Sequence, residues 1–484
     1  MMEHTRTAKR LLALAGAVLA LLAVAYLPLP EGLLTAGEVT LSPAGRVSVG
    51  TLAFCLVLWM TEALPFHITG LLGMIALALQ GTAGFSEIVK LGFGNQIIVF
   101  FIGVLCISSF ISRSGLGKRL CLFVLSRTGN STGAILLGFL TVGALLSMWV
   151  TDMAVAAILM PLAKAMLEEE GLQPLKSNFG KALMISCAWG PLIGGIGTPA
   201  GAGPNPIAIG FIREMTGVEI TFLEWMCYGV PAALVLIPPA WLVLMAFFRP
   251  EIKQLSKTRE DLRREFRQLP PPDREEKITL GVFLVTVALW LGSDWLAGLL
   301  GIEIPTALPA IIGGCLFFLP GLTRIPWKAI QQDVAWDGII LTVSGISLGM
   351  LIYQTGAAQW LSQILLGGIV TMGPLAQIFV IILMISLLKV ALSSNTVTAT
   401  VIIPIIIAMA VGHGLPVMGV VIPASLTLSL AFILVTSTPT SVIPHSSGYF
   451  SIMDMAKAGA TMTLLTSVLM TAVIYGVGVM RGIY

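Results

Sequence analysis

The chain has 484 residues, of which 56 % are hydrophobic and 11 % charged, against roughly 25 % charged in an ordinary water-soluble domain. Its mean hydropathy of +0.95 and recurring apolar runs make a bilayer core about 30 Å thick the natural solvent for most of its surface, which excludes a water-soluble protein. The formal net charge of +3 points neither to nucleic acid nor to another polyanionic partner.

The N terminus, MMEHTRTAKR, leads into an apolar run from Leu11 to Leu27 with a small-residue AVA at Ala23 to Ala25. It resembles a secretory signal, but the downstream segments are also membrane-embedded, so it reads as an uncleaved first helix. A window of about 19 residues gives eleven candidate spans: 10–27, 46–61, 64–80, 97–125, 178–213, 226–248, 278–300, 304–321, 337–366, 416–449 and 456–480. Two more apolar stretches, 132–168 and 373–413, are each about 40 residues long, enough at about 1.5 Å per residue to enter the bilayer and return. Their polar centres are Thr151-Asp152 and Ser393-Ser394-Asn395-Thr396. Irregular backbone is tolerated at membrane depth only where it lines a cavity, so both stretches read as re-entrant hairpins with polar tips.

Two spans are broken where a helix should be most regular, by GGIGTPAGAGPNP (Gly194 to Pro206) and TSTPTSVIP (Thr436 to Pro444). Unwound backbone exposes amide and carbonyl groups that hydrocarbon cannot satisfy, so such breaks mark a ligand, an ion or water. The order long helix, hairpin, broken helix then occurs twice, at 97–213 and 337–449, as a two-fold internal repeat. From a cytoplasmic N terminus, only Arg46, Lys90, Arg213, Lys389 and Arg481 of the 27 basic residues fall outside or within the membrane, a strong positive-inside bias. An odd number of crossings separates the repeats, so they are inverted. The charged insert 251–278, with Pro270 to Pro272, reads as a cytosolic linker.

The six cysteines form no CxxC pair and the four histidines are far apart, so no disulfide framework, transition-metal site or cofactor is expected. No Walker A sequence appears, and there is no Ser-His, paired-Asp or metal constellation for an enzyme. Inverted repeats with paired hairpins and broken helices are the ingredients of a secondary transporter, with short polar side chains for an anion and helix-end carbonyls for Na⁺.

WMTEALPFHITGLLG (Trp59 to Gly73), GTP (Gly197 to Pro199), SSNT (Ser393 to Thr396) and STP (Ser437 to Pro439) resemble the divalent anion/sodium symporter (DASS) family of dicarboxylate, citrate and sulfate carriers. The resemblance implies an all-α polytopic membrane protein of about eleven spans plus two re-entrant hairpins. It also implies a homodimer in the inner (plasma) membrane, and an elevator with scaffold and transport domains. On that basis 1–96 is mainly scaffold, 97–213 the first transport elements, 226–248 a scaffold helix, 249–277 the linker, 278–321 scaffold, 337–449 the second transport elements and 456–484 the C-terminal helix. Substrate contacts are expected from Thr151, Asp152, Thr198, Pro199, Ser394, Asn395, Thr396, Thr438 and Pro439. Coupling Na⁺ is expected at Ser147, Asp152, Gly197, Asn395 and Ser437.

The first tip departs from the family pattern: it reads Thr151, Asp152, Met153 where the family has Ser, Asn and Thr, and Lys389 and Val390 precede the second tip. Asp152 is either a helix cap or a functional charge, and Lys389 either snorkels outward or acts near the tip. The Thr-Pro pairs either kink packed helices or open the breaks. The leading expectation is sodium-coupled import of dicarboxylate-like anions, with Na⁺ retained at the first site through Asp152 and Ser147. The rivals are a sodium-independent anion exchanger and a sulfate or tricarboxylate carrier.

Overall fold

The computed structural model describes residues 2–28, 30–256, 259–392 and 394–484; Ser393 of the second tip and Lys257 and Thr258 of the insert lie outside them. Among the described residues the regular structure is helical except for a short β-hairpin, β1 (Thr35–Ala36) and β2 (Val39–Thr40), and an isolated bridge between Ser131 and Gln254. The first half runs α1 (Met2–Tyr26), α2 (Glu31–Leu34), α3 (Pro43–Thr61), α4 (Phe66–Leu79), α5 (Phe85–Phe93), α6 (Gln96–Arg113), α7 (Leu116–Leu125), α8 (Thr132–Ser147), α9 (Asp152–Glu169), α10 (Asn178–Gly195), α11 (Pro204–Thr216) and α12 (Phe222–Phe247). After α13 (Arg259–Gln268) come α14 (Arg274–Leu291), α15 (Ser293–Leu300), α16 (Ala307–Leu316), α17 (Trp327–Asp333), α18 (Trp336–Gln354), α19 (Ala357–Val370), α20 (Pro374–Ala391), α21 (Asn395–Gly412), α22 (Val417–Thr427), α23 (Pro439–His445) and α24 (Ile452–Met480).

Among the described residues eight helices are long and apolar enough to cross a membrane, and α14 with α15, bent by 70°, makes a ninth. Several expected spans are shorter or split. The single helix expected at 97–125 is α6 plus α7, and that at 337–366 is α18 plus α19. In both, a glycine in the left-handed region (Gly115, φ +83°; Gly356, φ +78°) separates the pieces, a backbone state that a Cβ disfavours. The same fracture at matching places strengthens the internal repeat: α6 to α11 and α18 to α23 share one plan. Short helices α5 and α17, too brief for a window tuned to spans, were not expected.

Local chemistry sets the helix starts. Ser42, Asn95, Ser131 and Ser177 accept hydrogen bonds from the first-turn amides of α3, α6, α8 and α10. Capping boxes Thr221/Glu224, Asp273/Glu276 and Ser451/Asp454 open α12, α14 and α24, satisfying donors that a helix leaves unpaired.

Packing sorts the helices into two groups. In one, α1 lies on α3, α4 on α18, and α6 on α16; in the other, α8 lies on α10, α9 and α10 on α23, and α20 on α22 and α24. The helix expected to belong to the scaffold at 226–248, α12, packs along α24, α8 and α10, in the hairpin group. Helix α21 meets both groups, through α18 and α19 on one side and α11 and α22 on the other. The insert is docked as well as linking: Thr132 N–H donates to Lys253 O (3.1 Å) and Leu255 N–H to Asn130 O (3.0 Å). Glu251 accepts from Ser177 Oγ and from Phe179 N–H, which ties the insert to the bases of α8 and α10.

Candidate functional site

Both stretches expected to be re-entrant are helical hairpins, and each tip rests on the break of its own repeat. At the first, α8 ends at Ser147 and α9 starts at Asp152. Thr198 Oγ1 donates to Met148 O and accepts from Ala200 N–H at 3.2 Å. The Asp152 amide donates to Gly201 O at 3.2 Å. Gly197 and Gly201 are required by closeness: a Cβ on them would stand 2.7 Å from Met148 Cγ and 2.6 Å from Ser147 O respectively. The proline of the pair Thr198-Pro199 is buried in the unwound stretch.

That stretch, 196–203, is held open by an amide. Asn205 Nδ2 donates to Gly195 O (2.7 Å) and Thr198 O (2.8 Å), while Trp225 Nε1 caps Ile196 O (2.9 Å). The residue contributing the most bonds here, Asn205, was absent from the sequence-derived site; its signal was an amide between two prolines in an apolar run. Ser147 is fully buried and its hydroxyl has no hydrogen-bond partner. It lies 3.6 Å from where a Cβ on Gly195 would stand, facing the carbonyl end of α10.

At the second tip Ser394 caps α21, accepting from Val397 N–H at 3.3 Å. Asn395 is 9 % exposed and its Oδ1 has no partner. Lys389, 3 % exposed, points its Nζ at Thr427 O, 3.4 Å away at the end of α22; it does not snorkel outward. Ser437 Oγ donates to Lys389 O at 3.4 Å, and Thr438 caps the short helix that Pro439 opens, with its hydroxyl 3.2 Å from that of Thr440. A cavity of about 10 Å³ beside Lys389, Ser437 and Thr463 has room for one water.

The two halves also cross over. Ser429 Oγ donates to Asn205 Oδ1 at 3.1 Å, and Thr396 Oγ1 is 3.7 Å from the Cβ position of Gly203. Asp152, the first residue of α9 and an acidic group in its first turn, accepts from the Met153 amide (2.8 Å). Thr151 sits 3.3 Å from Ser108 on α6, linking the tip to the other helix group. Trp149 stacks on Phe222, which stacks on Trp290 (centroids 6.2 and 4.4 Å). Each tip is thus tied to the break of its own repeat, and the two halves meet where Ser429 bonds Asn205 and Thr396 approaches Gly203; Ser429, Thr427 and Thr440 take part from positions that carried no pairing signal in the sequence.

Such an arrangement can hold a small anion between the N-terminal ends of α9, α11, α21 and α23, and cations at the carbonyl ends of α10 and α22. The profile of the family described as the sodium:sulfate symporter transmembrane region matches residues 8–481. The sodium-dependent dicarboxylate transporter SdcS of Staphylococcus saprophyticus is 31 % identical over 434 residues, covering 86 % of this chain and 83 % of that one. SdcS of Staphylococcus aureus is 30 % identical over 436 residues with the same coverage. Two solved structures share the fold, each with a TM-score of 0.54: the Alcanivorax borkumensis YdaH transporter (16 % identity, 90 % of this chain and 98 % of that one) and Neisseria gonorrhoeae MtrF (12 %, 97 % and 94 %).

Proposed function

The chain belongs to the sodium:sulfate symporter family, and from that premise we propose that it is a secondary transporter that carries dicarboxylate-like anions across the plasma membrane with Na⁺. The observation that carries this reading is a pair of buried, unpartnered polar atoms, Ser147 Oγ and Asn395 Oδ1, one at each hairpin tip. A buried polar atom without a partner costs about 1–3 kcal/mol, and a ligand that supplies the partner removes that cost. At the first tip the neutral hydroxyl beside the α10 carbonyl end and Gly197 suits Na⁺, and Asp152 makes this side more negative. Substrate carboxylates are read by Ser394, Asn395, Thr396 and Thr438, short donors near helix N-terminal ends, while Thr198, its hydroxyl donated to Met148 O, shapes the first break that lines the substrate.

The two packing groups support an elevator: α8 to α12 with α20 to α24 carry the site, while the group containing α3, α4, α6, α16 and α18 stays fixed and forms the homodimer contact. The distribution of basic residues supports a cytoplasmic N terminus. One observation favours a second reading. The Lys389 ammonium at the end of α22 supplies a fixed charge where a cation would bind, as a sodium-independent exchanger requires.

Uptake into proteoliposomes tests both. Sodium-driven accumulation of succinate, citrate, tartrate or sulfate into vesicles free of internal substrate is expected. Uptake that needs internal anion and ignores Na⁺ establishes the exchanger instead. Ser147→Ala should raise the Na⁺ concentration needed for half-maximal uptake.

A further inference from the structure

Outside the hairpin tips and breaks, the cations around α7 and the insert fall into two classes. Some are spent inside the protein: Arg113 pairs with Asp333, Arg274 donates to Gly321 O, and Arg119 binds both Glu276 (2.8 Å) and Pro270 O (2.8 Å). Five others are exposed and have no ion-pair partner among the described residues: Lys118 on α7, Arg127 just past its end, and Arg263, Arg264 and Arg267 on α13.

Helix α13 is docked on α7 through Phe266 and Phe123, whose ring centroids are 5.6 Å apart. The Arg127 guanidinium lies 3.6 Å from the centre of the same Phe123 ring, so this aromatic joint brings Arg127 and the arginines of α13 together. Along α13, Arg267 is an i+4 neighbour of Arg263 and an i+3 neighbour of Arg264, a spacing at which like charges repel. Of the described side chains of α13, Glu260 is the exposed acid, which leaves the face positive.

The joint lies where spans leave the hydrocarbon. Helix α6, long and apolar enough to cross, ends at Arg113, and α7 starts at Leu116; α14, the first part of the bent span, starts at Arg274. Arg119 of α7 holds Pro270 and Glu276, on either side of that start. That depth is the headgroup layer, and basic residues beside aromatic rings on a short helix are the make-up of a segment that lies in it.

We propose that the joint of α7 and α13 is a docking site for the phosphate headgroups of anionic lipids, with Arg263, Arg264 and Arg267 as its main contacts. A guanidinium matches a phosphate with two parallel hydrogen bonds. The leaflet on the basic side of a membrane protein is the one whose anionic lipids attract such clusters. Because α7 joins α6 in one packing group to α8 in the other, lipid held there anchors the connection between them. The inference needs only that the chain is embedded in a membrane, not the choice of substrate or ion.

Hydrogen exchange of the full chain tests it, in nanodiscs of phosphatidylcholine and in nanodiscs of phosphatidylcholine mixed equally with phosphatidylglycerol. Each Lys or Arg held at an anionic surface adds about fivefold in affinity, so three add about 100-fold. The amides of α13 are expected to exchange up to about 100-fold more slowly in the anionic discs, and high salt should remove the difference. The triple variant Arg263→Gln, Arg264→Gln, Arg267→Gln should exchange alike in both lipids, with α10 protected as in wild type. Where the variant fails to fold, the salt series on the wild-type protein decides. Equal exchange of wild-type α13 in the two discs, a difference that survives high salt, or equal slowing in the variant overturns the proposal. So does the same slowing in phosphatidylcholine discs on adding inorganic phosphate, which would assign the patch to a soluble anion. No transport is measured, so this proposal and the transport reading fail separately.

Discussion

Gly194→Ala is the sharpest test of how the first tip is positioned. Helix α10 crosses α8 at two glycines four residues apart, Gly190 and Gly194, the small-residue spacing that lets membrane helices touch backbone to backbone. A Cβ on Gly194 would stand 1.9 Å from Ala144 O and 2.5 Å from Ala144 C and Cα. Ordinary contact begins near 3.4 Å, so the helices must part by about 3.4 − 1.9 = 1.5 Å. The displaced atom belongs to backbone, which cannot rotate away as a side chain can. Ala144 is three residues before Ser147 and Gly194 three before Gly197, so the shift lands on the tip and the break together. Overpacking of this kind costs about 1–3 kcal/mol in stability, while a misplacement of about 1 Å at a working site can cost about 100-fold in rate. The variant should fold with a lowered Tm and lose uptake by roughly two orders of magnitude. Initial sodium-driven succinate uptake in proteoliposomes, read beside melting in detergent, measures both. Gly298→Ala is the control, because its Cβ meets nothing within 4 Å and alanine favours a helix. Wild-type uptake by Gly194→Ala would refute the claim that this crossing sets the tip.

Single side chains give three further outcomes. Asn395→Ala removes a buried acceptor that has no protein partner, so it should abolish uptake while leaving the melting curve in place; a large fall in Tm would mean the amide is structural. Met153→Thr supplies a hydroxyl donor at the first tip and should raise succinate uptake, and no gain would count against a polar role for that position. At the membrane surface Arg113 hydrogen-bonds Asp333 (2.8 Å) and holds its carboxyl below the usual value of 3.8. A carboxyl lowered in the folded state adds stability above its unfolded pKa and loses it as the pH falls through its folded pKa. Asp333→Asn should therefore melt below wild type at pH 7, with the difference narrowing as the pH falls below 3.8 and through the lowered folded pKa; a difference that stays constant on acidification would refute the ion pair's contribution.

The large features were legible because membranes punish exceptions. Thr151-Asp152 and Asn395-Thr396 stood out as hairpin tips only because the 40 or so residues around each are apolar, and the breaks at Gly197 and Thr438 because glycine, proline and threonine interrupt such runs. Less legible was anything written in backbone conformation. Gly115 and Gly356 look like many of the 51 glycines, yet their left-handed φ splits two expected spans. Helix packing was also out of reach: nothing in the composition of 226–248 says that it lies mainly along α24, α8 and α10 with a lesser contact to α14, since its apolar faces suit many partners. Asn205 was visible as a polar residue but not as a brace, because its three partners, Gly195, Thr198 and Ser429, are joined to it by folding alone.

What separates a merely stable break from a working one is the balance of donors and acceptors left over. Around residues 196–203 the freed carbonyls of Gly195, Ile196 and Thr198 already have partners in Asn205 and Trp225, so the unwinding costs little and needs no ligand to persist. The Ser147 hydroxyl, the Asn395 amide oxygen and the Ser441 hydroxyl lack partners, and they lie at the first tip, the second tip and the helix after the second break. A protein that satisfies the backbone of its irregular segments internally, but leaves side-chain oxygens at their edges unpaired, keeps its shape when empty and still gains from binding. The two tasks are thus divided: backbone brackets fix the geometry of the break, and the unpaired side-chain oxygens are where a ligand would gain most from binding.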